Sequence, residues 1–376
     1  MERIAVIAIA LSACGGRYKA PPSVPNIPMP SGAALKPFDA SNSSLARPAG
    51  IHVFNGLAYV SLGNYDGSYT VRGPGMLAVV APATGAVSTI DIGGASGKQC
   101  LEPLTIGDAG GKLYVGCSGY KDFSDPQSKL IGIAIVEADP GTGAVTRALT
   151  LPTSPSGLAI TASKIWFGDA YNGQVYALDR ATFSITAGPL AVPCPTTGSY
   201  FTVNDVKLVQ GDVYAACSND TGGILSRLDA NTGSVRMQTD AGPIAVSFAE
   251  TGDGRIAIVS GGDNKLRLVT IKSSALTTAE AYTFNDLTTS ILQDVHARGQ
   301  FLFTAASGSN TVQKLDLTRS GPAMLVGEAN VGINASPFTI VPLDDDQALV
   351  ANQSGNNLVS VGADCTGGRV CWVTPK

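Results

Sequence analysis

After residue 48 the apolar and polar positions of the chain fall into one recurring order. A short apolar segment is followed by a Gly-containing turn and an aromatic or β-branched segment. A polar Gly/Asn/Asp loop and a third apolar segment come next, often closed by a Thr-Gly pair. One copy reads Gly157-Leu-Ala-Ile160, Ile165-Trp-Phe-Gly168 and Gly173-Gln-Val-Tyr-Ala-Leu-Asp179. Another reads Asp294-Val-His-Ala297, Phe301-Leu-Phe-Thr304 and Asn310-Thr-Val-Gln-Lys-Leu-Asp316. Short apolar runs bounded by Gly, Asn and Asp predict strands rather than helices, because helices need longer runs with a 3.6-residue period. Thr84-Gly85, Thr142-Gly143 and Thr232-Gly233 are expected as hairpin turns before the outermost strand of a unit. Met76 to Val80 and Leu130 to Val136 are continuously apolar, the pattern of central strands buried on both faces.

The spacing of the copies sets the architecture. Innermost strands are expected to start at Gly50, Pro103, Gly157, Asp205, Pro243, Asp294 and Pro337. A unit of about 47 residues with several short strands matches a four-stranded blade, and the length of 48–376 accommodates seven. The expected fold is therefore all-β, a seven-bladed β-propeller of four-stranded antiparallel blades. Glycine (44 residues) and proline (22 residues) are abundant, as many tight turns require. Ser260-Gly-Gly-Asp-Asn264, Ser307-Gly-Ser-Asn310 and Gln353-Ser-Gly-Asn-Asn357 occupy the loop between second and third strands. With Phe303 to Asp316 they resemble the Tyr-Val-Thr-Asn (YVTN) family of seven-bladed propellers, in which a Ser-Asn-Thr-Val turn leads into a strand ending in Asp. Tyr59-Val-Ser and Tyr114-Val-Gly are the nearest matches to the tetrapeptide itself. The resemblance spans about residues 48–376 and implies a binding or scaffold propeller; it carries over no catalytic residue.

The N-terminal residues carry an address. Met1-Glu-Arg3 precedes the apolar stretch Ile4 to Leu11, and Leu11-Ser-Ala-Cys14 follows. This resembles a bacterial lipoprotein signal (residues 1–13), in which the Cys14 thiol accepts diacylglycerol before cleavage. The alternative is an ordinary secretory signal. Lipidation implies a membrane partner through the acyl chains. Gly15 rather than Asp after the cysteine implies the outer membrane in a Gram-negative cell envelope. Residues 14–47 contain Pro21, Pro22, Pro25, Pro28, Pro30 and Pro37 and read as an extended tether, with packing of Leu35 to Phe38 onto the domain as the alternative.

Setting Cys14 aside leaves six cysteines, as an oxidising compartment favours. Cys100 and Cys117 are expected opposite one another on antiparallel strands, and Cys365 and Cys371 across a hairpin turn. Cys194 and Cys217 remain, and their pairing requires the 194–203 loop to fold back.

The net charge of −4 leaves no basic footprint, which excludes a nucleic-acid partner. No Gly-rich phosphate loop, Cys-x-x-Cys, His-Glu-x-x-His or Gly-x-Ser-x-Gly occurs, and no cofactor is expected. Two candidate sites stand out. Glu102, Asn204, Asp205, Gln293 and Asp294 gather near the channel mouth, and the two histidines, His52 and His296, share one position in the repeat. Asp205, Asp294, His52 and His296 together would suit a divalent metal or general acid–base work, as in a lactonase-like hydrolase or lyase. The other reading has the carboxylates accepting backbone hydrogen bonds at strand starts. The second candidate is a recognition patch for a protein or glycan, formed by Tyr65, Tyr69, Tyr120 and Phe123 in the insertions at 61–75 and 117–130, with half-buried packing of these rings on the propeller's own rim as the alternative. The expected function is a lipid-anchored binding or scaffold module, with the channel hydrolase as the alternative.

Overall fold

The computed structural model describes residues 26–29, 45–66, 73–121, 130–198, 200–284, 291–318, 322–363 and 370–373. Six antiparallel sheets are each built from strands taken in chain order from the centre outward: 48–91, 103–150, 155–191, 202–240, 245–283 and 292–330. The seventh contributes Pro337–Pro342, Ala348–Asn352 and Asn357–Gly362. Its outer edge is completed from elsewhere. Asn26–Pro28 pairs antiparallel with the Asn357–Val359 part of the third strand, and Val370–Cys371 pairs parallel with Val361 and Gly362. The chain is a seven-bladed β-propeller closed by both of its ends.

That closure places part of the expected tether in the domain. Ile27 within the paired segment and Met29 just after it pack into the apolar cluster between blades seven and one. An uncovered strand edge would leave a row of unpaired N–H and C=O groups, and Asn26–Pro28 covers it. Leu35 to Phe38, Cys14 and the leader lie outside the described residues.

The apolar positions meet between blades, so each of the seven seams has its own buried cluster. Ladder pairing puts Tyr59, Tyr114, Trp166, Tyr214 and Phe303 at one position of the second strands. All five are buried. Trp166 fills the seam of blades three and four and donates from Nε1 to the Ala230 carbonyl at 3.0 Å.

Every innermost strand carries a β-bulge near its start. A bulge adds a residue to one strand of the ladder. The pairing of first with second strands also corrects the equivalences expected from spacing. The residues equivalent to Asp205 and Asp294 are Gly50, Thr105, Gly157, Ser247 and Thr339, not Pro103, Pro243 or Pro337. Leu130 to Val136 is likewise not one strand. Leu130–Ile131 pairs with Tyr120–Lys121 as a side hairpin, and the blade strand is Ala134–Ala138. Gly132 separates them at φ 69°, where a Cβ would lie 2.3 Å from Leu101.

Alternation of strand direction sorts the connections onto two faces. Turns from first to second and from third to fourth strands share one face and are mostly tight. The connections 63–75, 92–102, 118–133 and 192–201 all fall on the other, the loop-rich face. Both described disulfides lie there, each tying the connection that enters a blade to the end of that blade's second strand. Cys100–Cys117 and Cys194–Cys217 have Cα separations of 5.4 and 5.2 Å. The 192–201 connection does fold back. Cys371 is disulfide-bonded, while Cys365 lies outside the described residues. The two bridges close 17- and 23-residue separations, for which removal costs about 3 kcal/mol each through added freedom of the unfolded chain. The Cys194→Ser/Cys217→Ser variant is expected to unfold at lower urea than wild type, and a wild-type midpoint unchanged by reductant would contradict this.

Candidate functional site

The polar side chains at the channel are held by the innermost strands of blades four, five and six. Asp205 Oδ2 accepts from the Phe248 backbone N–H at 3.3 Å and pairs with Lys207 Nζ at 2.9 Å. Asp294 Oδ2 accepts from the Ile340 N–H at 3.2 Å and faces His296 Nε2 at 3.4 Å, while Oδ1 accepts from the Val295 N–H at 2.9 Å. Ser247 stands between the two acids, with Oγ 2.8 Å from Asp294 Oδ1 and 3.3 Å from Asp205 Oδ2. A hydroxyl has one proton, so it donates to one carboxylate at a time; it accepts from Lys207 Nζ at 3.0 Å.

Each acid therefore reaches from its own blade to a backbone N–H of the next. Burial pushes the Asp294 carboxyl up, but His296, Lys207 and the Ser247 hydroxyl outweigh it and hold the group below its ordinary value. Blades one and three meet the same task differently. At Gly50 and Gly157 the neighbouring strand comes so close that a Cβ would lie 1.9 Å from the Leu104 carbonyl oxygen or 2.1 Å from the Val206 nitrogen.

The remaining expected site residues are dispersed. His52 occupies the ladder position of His296, as does Lys207 in blade four. Its Nε2 is 2.8 Å from Asp108 Oδ1 of blade two, so it pairs away from Asp294. Glu102 pairs with Arg47 at 3.5 Å. Asn204 donates to Ser218 Oγ and to the Ala245 carbonyl, and Gln293 to Ser307 Oγ. Among the described residues no three His, Cys, Asp or Glu side chains gather to hold a metal ion.

The aromatic patch is also redrawn. Tyr65 is 1% exposed and lies under the Arg47 guanidinium, 4.3 Å from the ring centre; its ring packs beside Gly63 instead of presenting a surface. Tyr120 is half-buried and pairs with Ile131 in the side hairpin. Tyr69 and Phe123 lie outside the described residues. The aromatics that are exposed on the loop-rich face belong to the seam of blades three and four: Tyr171 (49%), Tyr200 (53%) and Phe201 (42%). Phe201 and Cys194 both close on Gly173, where a Cβ would meet Cys194 Sγ at 2.3 Å and the Phe201 ring at 3.1 Å. Tyr200-Phe201 directly precedes the strand Thr202–Val209, so the signal was an aromatic pair at the end of a disulfide-closed connection.

Fold and site together define a seven-bladed β-propeller with structural acids at its channel and a disulfide-stapled aromatic surface on one face. No family model matches the chain, and no curated protein sequence matches it. Solved structures do. Virginiamycin B lyase from Staphylococcus aureus is 16% identical with a TM-score of 0.60, over 84% of this chain and 96% of that one. Hydrazine synthase of Kuenenia stuttgartiensis is 14% identical with a TM-score of 0.62, over 85% and 96%. A putative 6-phosphogluconolactonase from Bacteroides fragilis is 14% identical with a TM-score of 0.60, over 89% and 95%. At these identities the likeness is one of fold, and one fold hosts many activities.

Proposed function

We propose that this protein is a lipid-anchored, extracytoplasmic binding module, a rigid disc that presents its loop-rich face to a protein or glycan partner. The observation that carries this reading is the set Tyr171, Tyr200 and Phe201, exposed on that face and braced by Cys194–Cys217. Aromatic side chains on a rigid support offer large contact area at small entropic cost, which favours recognition. Two disulfides support an oxidising compartment, and the Leu11 to Cys14 signal supports the lipid anchor. The repeat's resemblance to YVTN propellers is consistent with a binding role.

A metal-assisted hydrolase or lyase in the channel is the weaker reading. Lyase and putative lactonase structures share the fold, but Asp205 and Asp294 hold neighbouring blades together here. Affinity purification from detergent-solubilised envelopes tests the choice. The Tyr171→Ala/Tyr200→Ala variant is expected to lose about tenfold or more of partner recovery while its melting curve matches wild type. Full recovery with the double variant would reject the surface.

A further inference from the structure

The way the propeller closes determines how it stands on a membrane. Asn26–Pro28 runs antiparallel to Asn357–Gly362 at the rim of blade seven. In every blade the third strand runs from the loop-rich face to the tight-turn face. The antiparallel Asn26–Pro28 therefore runs the other way, and the chain comes to Asn26 from the tight-turn side. Only residues 15–25 separate Asn26 from Cys14. Fully extended, a segment of that length reaches about 40 Å, at about 3.5 Å per residue. The disc is about 50 Å across for a chain of this length, so the leash is shorter than the body it holds.

From this geometry we infer that the tight-turn side of blade seven is the membrane-facing pole and that the seam of blades three and four is the membrane-distal pole. The inference rests on the lipid-anchor reading and deepens it. In a closed ring of seven blades the seam opposite blade seven is the one between blades three and four. That seam carries Tyr171, Tyr200 and Phe201 on the loop-rich face. Attachment and recognition thus occupy opposite ends of the molecule. A partner reaches the aromatic surface without competing with the bilayer.

Energy transfer to a membrane plane measures this directly. The lipidated full chain carries a donor dye at one introduced cysteine and is reconstituted into vesicles containing a lipid-linked acceptor. Four exposed positions sample both axes: Asp345→Cys on the tight-turn side of blade seven, Ser354→Cys on its loop side, Asn231→Cys on the tight-turn side of blade four, and Tyr200→Cys at the distal seam. Transfer is expected to be at least twofold higher from Asp345→Cys than from Tyr200→Cys, with the other two between. Inserting a twenty-residue Gly/Ser segment after Gly16 is expected to flatten the gradient. Equal transfer at all four positions, in protein that floats with the vesicles, would overturn the orientation and leave the anchor intact. Failure to float, with no palmitate incorporated at Cys14, would overturn the anchor and the orientation together.

Discussion

Gly157→Ala is expected to cost about 2–5 kcal/mol of folding stability, read as a lower urea midpoint with an unchanged slope. Two terms add. Gly157 has φ 66°, and an L-residue in that left-handed region costs about 1–2 kcal/mol. A Cβ would also lie 2.1 Å from the Val206 nitrogen and 2.9 Å from its carbonyl oxygen. These are backbone atoms of the next blade, so neither can swing away, and overpacking of this kind costs about 1–3 kcal/mol or more. Gly211→Ala separates the terms, since Gly211 has φ 81° but nothing within 4 Å of its would-be Cβ. It is expected to cost only about 1–2 kcal/mol. Equal midpoints for the two variants would sink the idea that blades three and four are closed by backbone contact at this glycine.

The blade count, the strand order and the Cys100–Cys117 pair were legible because hydrophobic alternation and turn residues repeat with the unit. Cys194–Cys217 stayed open, since Cys194 falls too early in the repeat to face Cys217 directly. The bulges were not legible, because an extra residue in a ladder leaves no compositional mark. The row was not legible either: matching Pro103, Pro243 and Pro337 to Asp205 and Asp294 hides that Thr105, Ser247 and Thr339 share the row of the two acids. Closure by Asn26–Pro28 was equally hidden. Asn and Pro are depleted in strands, so Asn-Ile-Pro gives little sign of one, and it pairs where the ring brings Asn357 to Val359 beside it. Tyr65 stood between exposure and rim packing for a related reason. Its place in an insertion suggested exposure, yet the backbone bridge to Leu45 and the Arg47 side chain cover it. The shared position of His52 and His296 was readable, and the same alignment would have placed Lys207 beside Asp205 as a third member.

Asp294→Ala is expected to cost about 3–5 kcal/mol, because removing one partner of a buried charged network strands the others. Ile340 would lose the acceptor for its N–H, and His296 and Ser247 would lose a carboxylate neighbour. Asp294→Asn keeps the shape. Either orientation of the amide sets its NH₂ against a backbone N–H, of Val295 or of Ile340, and the cost is expected near 2 kcal/mol. The pH dependence carries a sign. The folded carboxyl is held below its ordinary 3.8, so its contribution is fully present above that value and is lost as pH falls through the folded one. Wild-type stability should therefore decline below about pH 4 more steeply than that of Asp294→Asn. Urea titrations of both proteins between pH 7 and 2.5 measure the difference. If Asp294 were reserved for chemistry on a bound substrate, its replacement would leave stability and its acid dependence unchanged. That outcome would return the channel to the hydrolase reading, whereas a large loss fixes the carboxylate as the strap between blades six and seven.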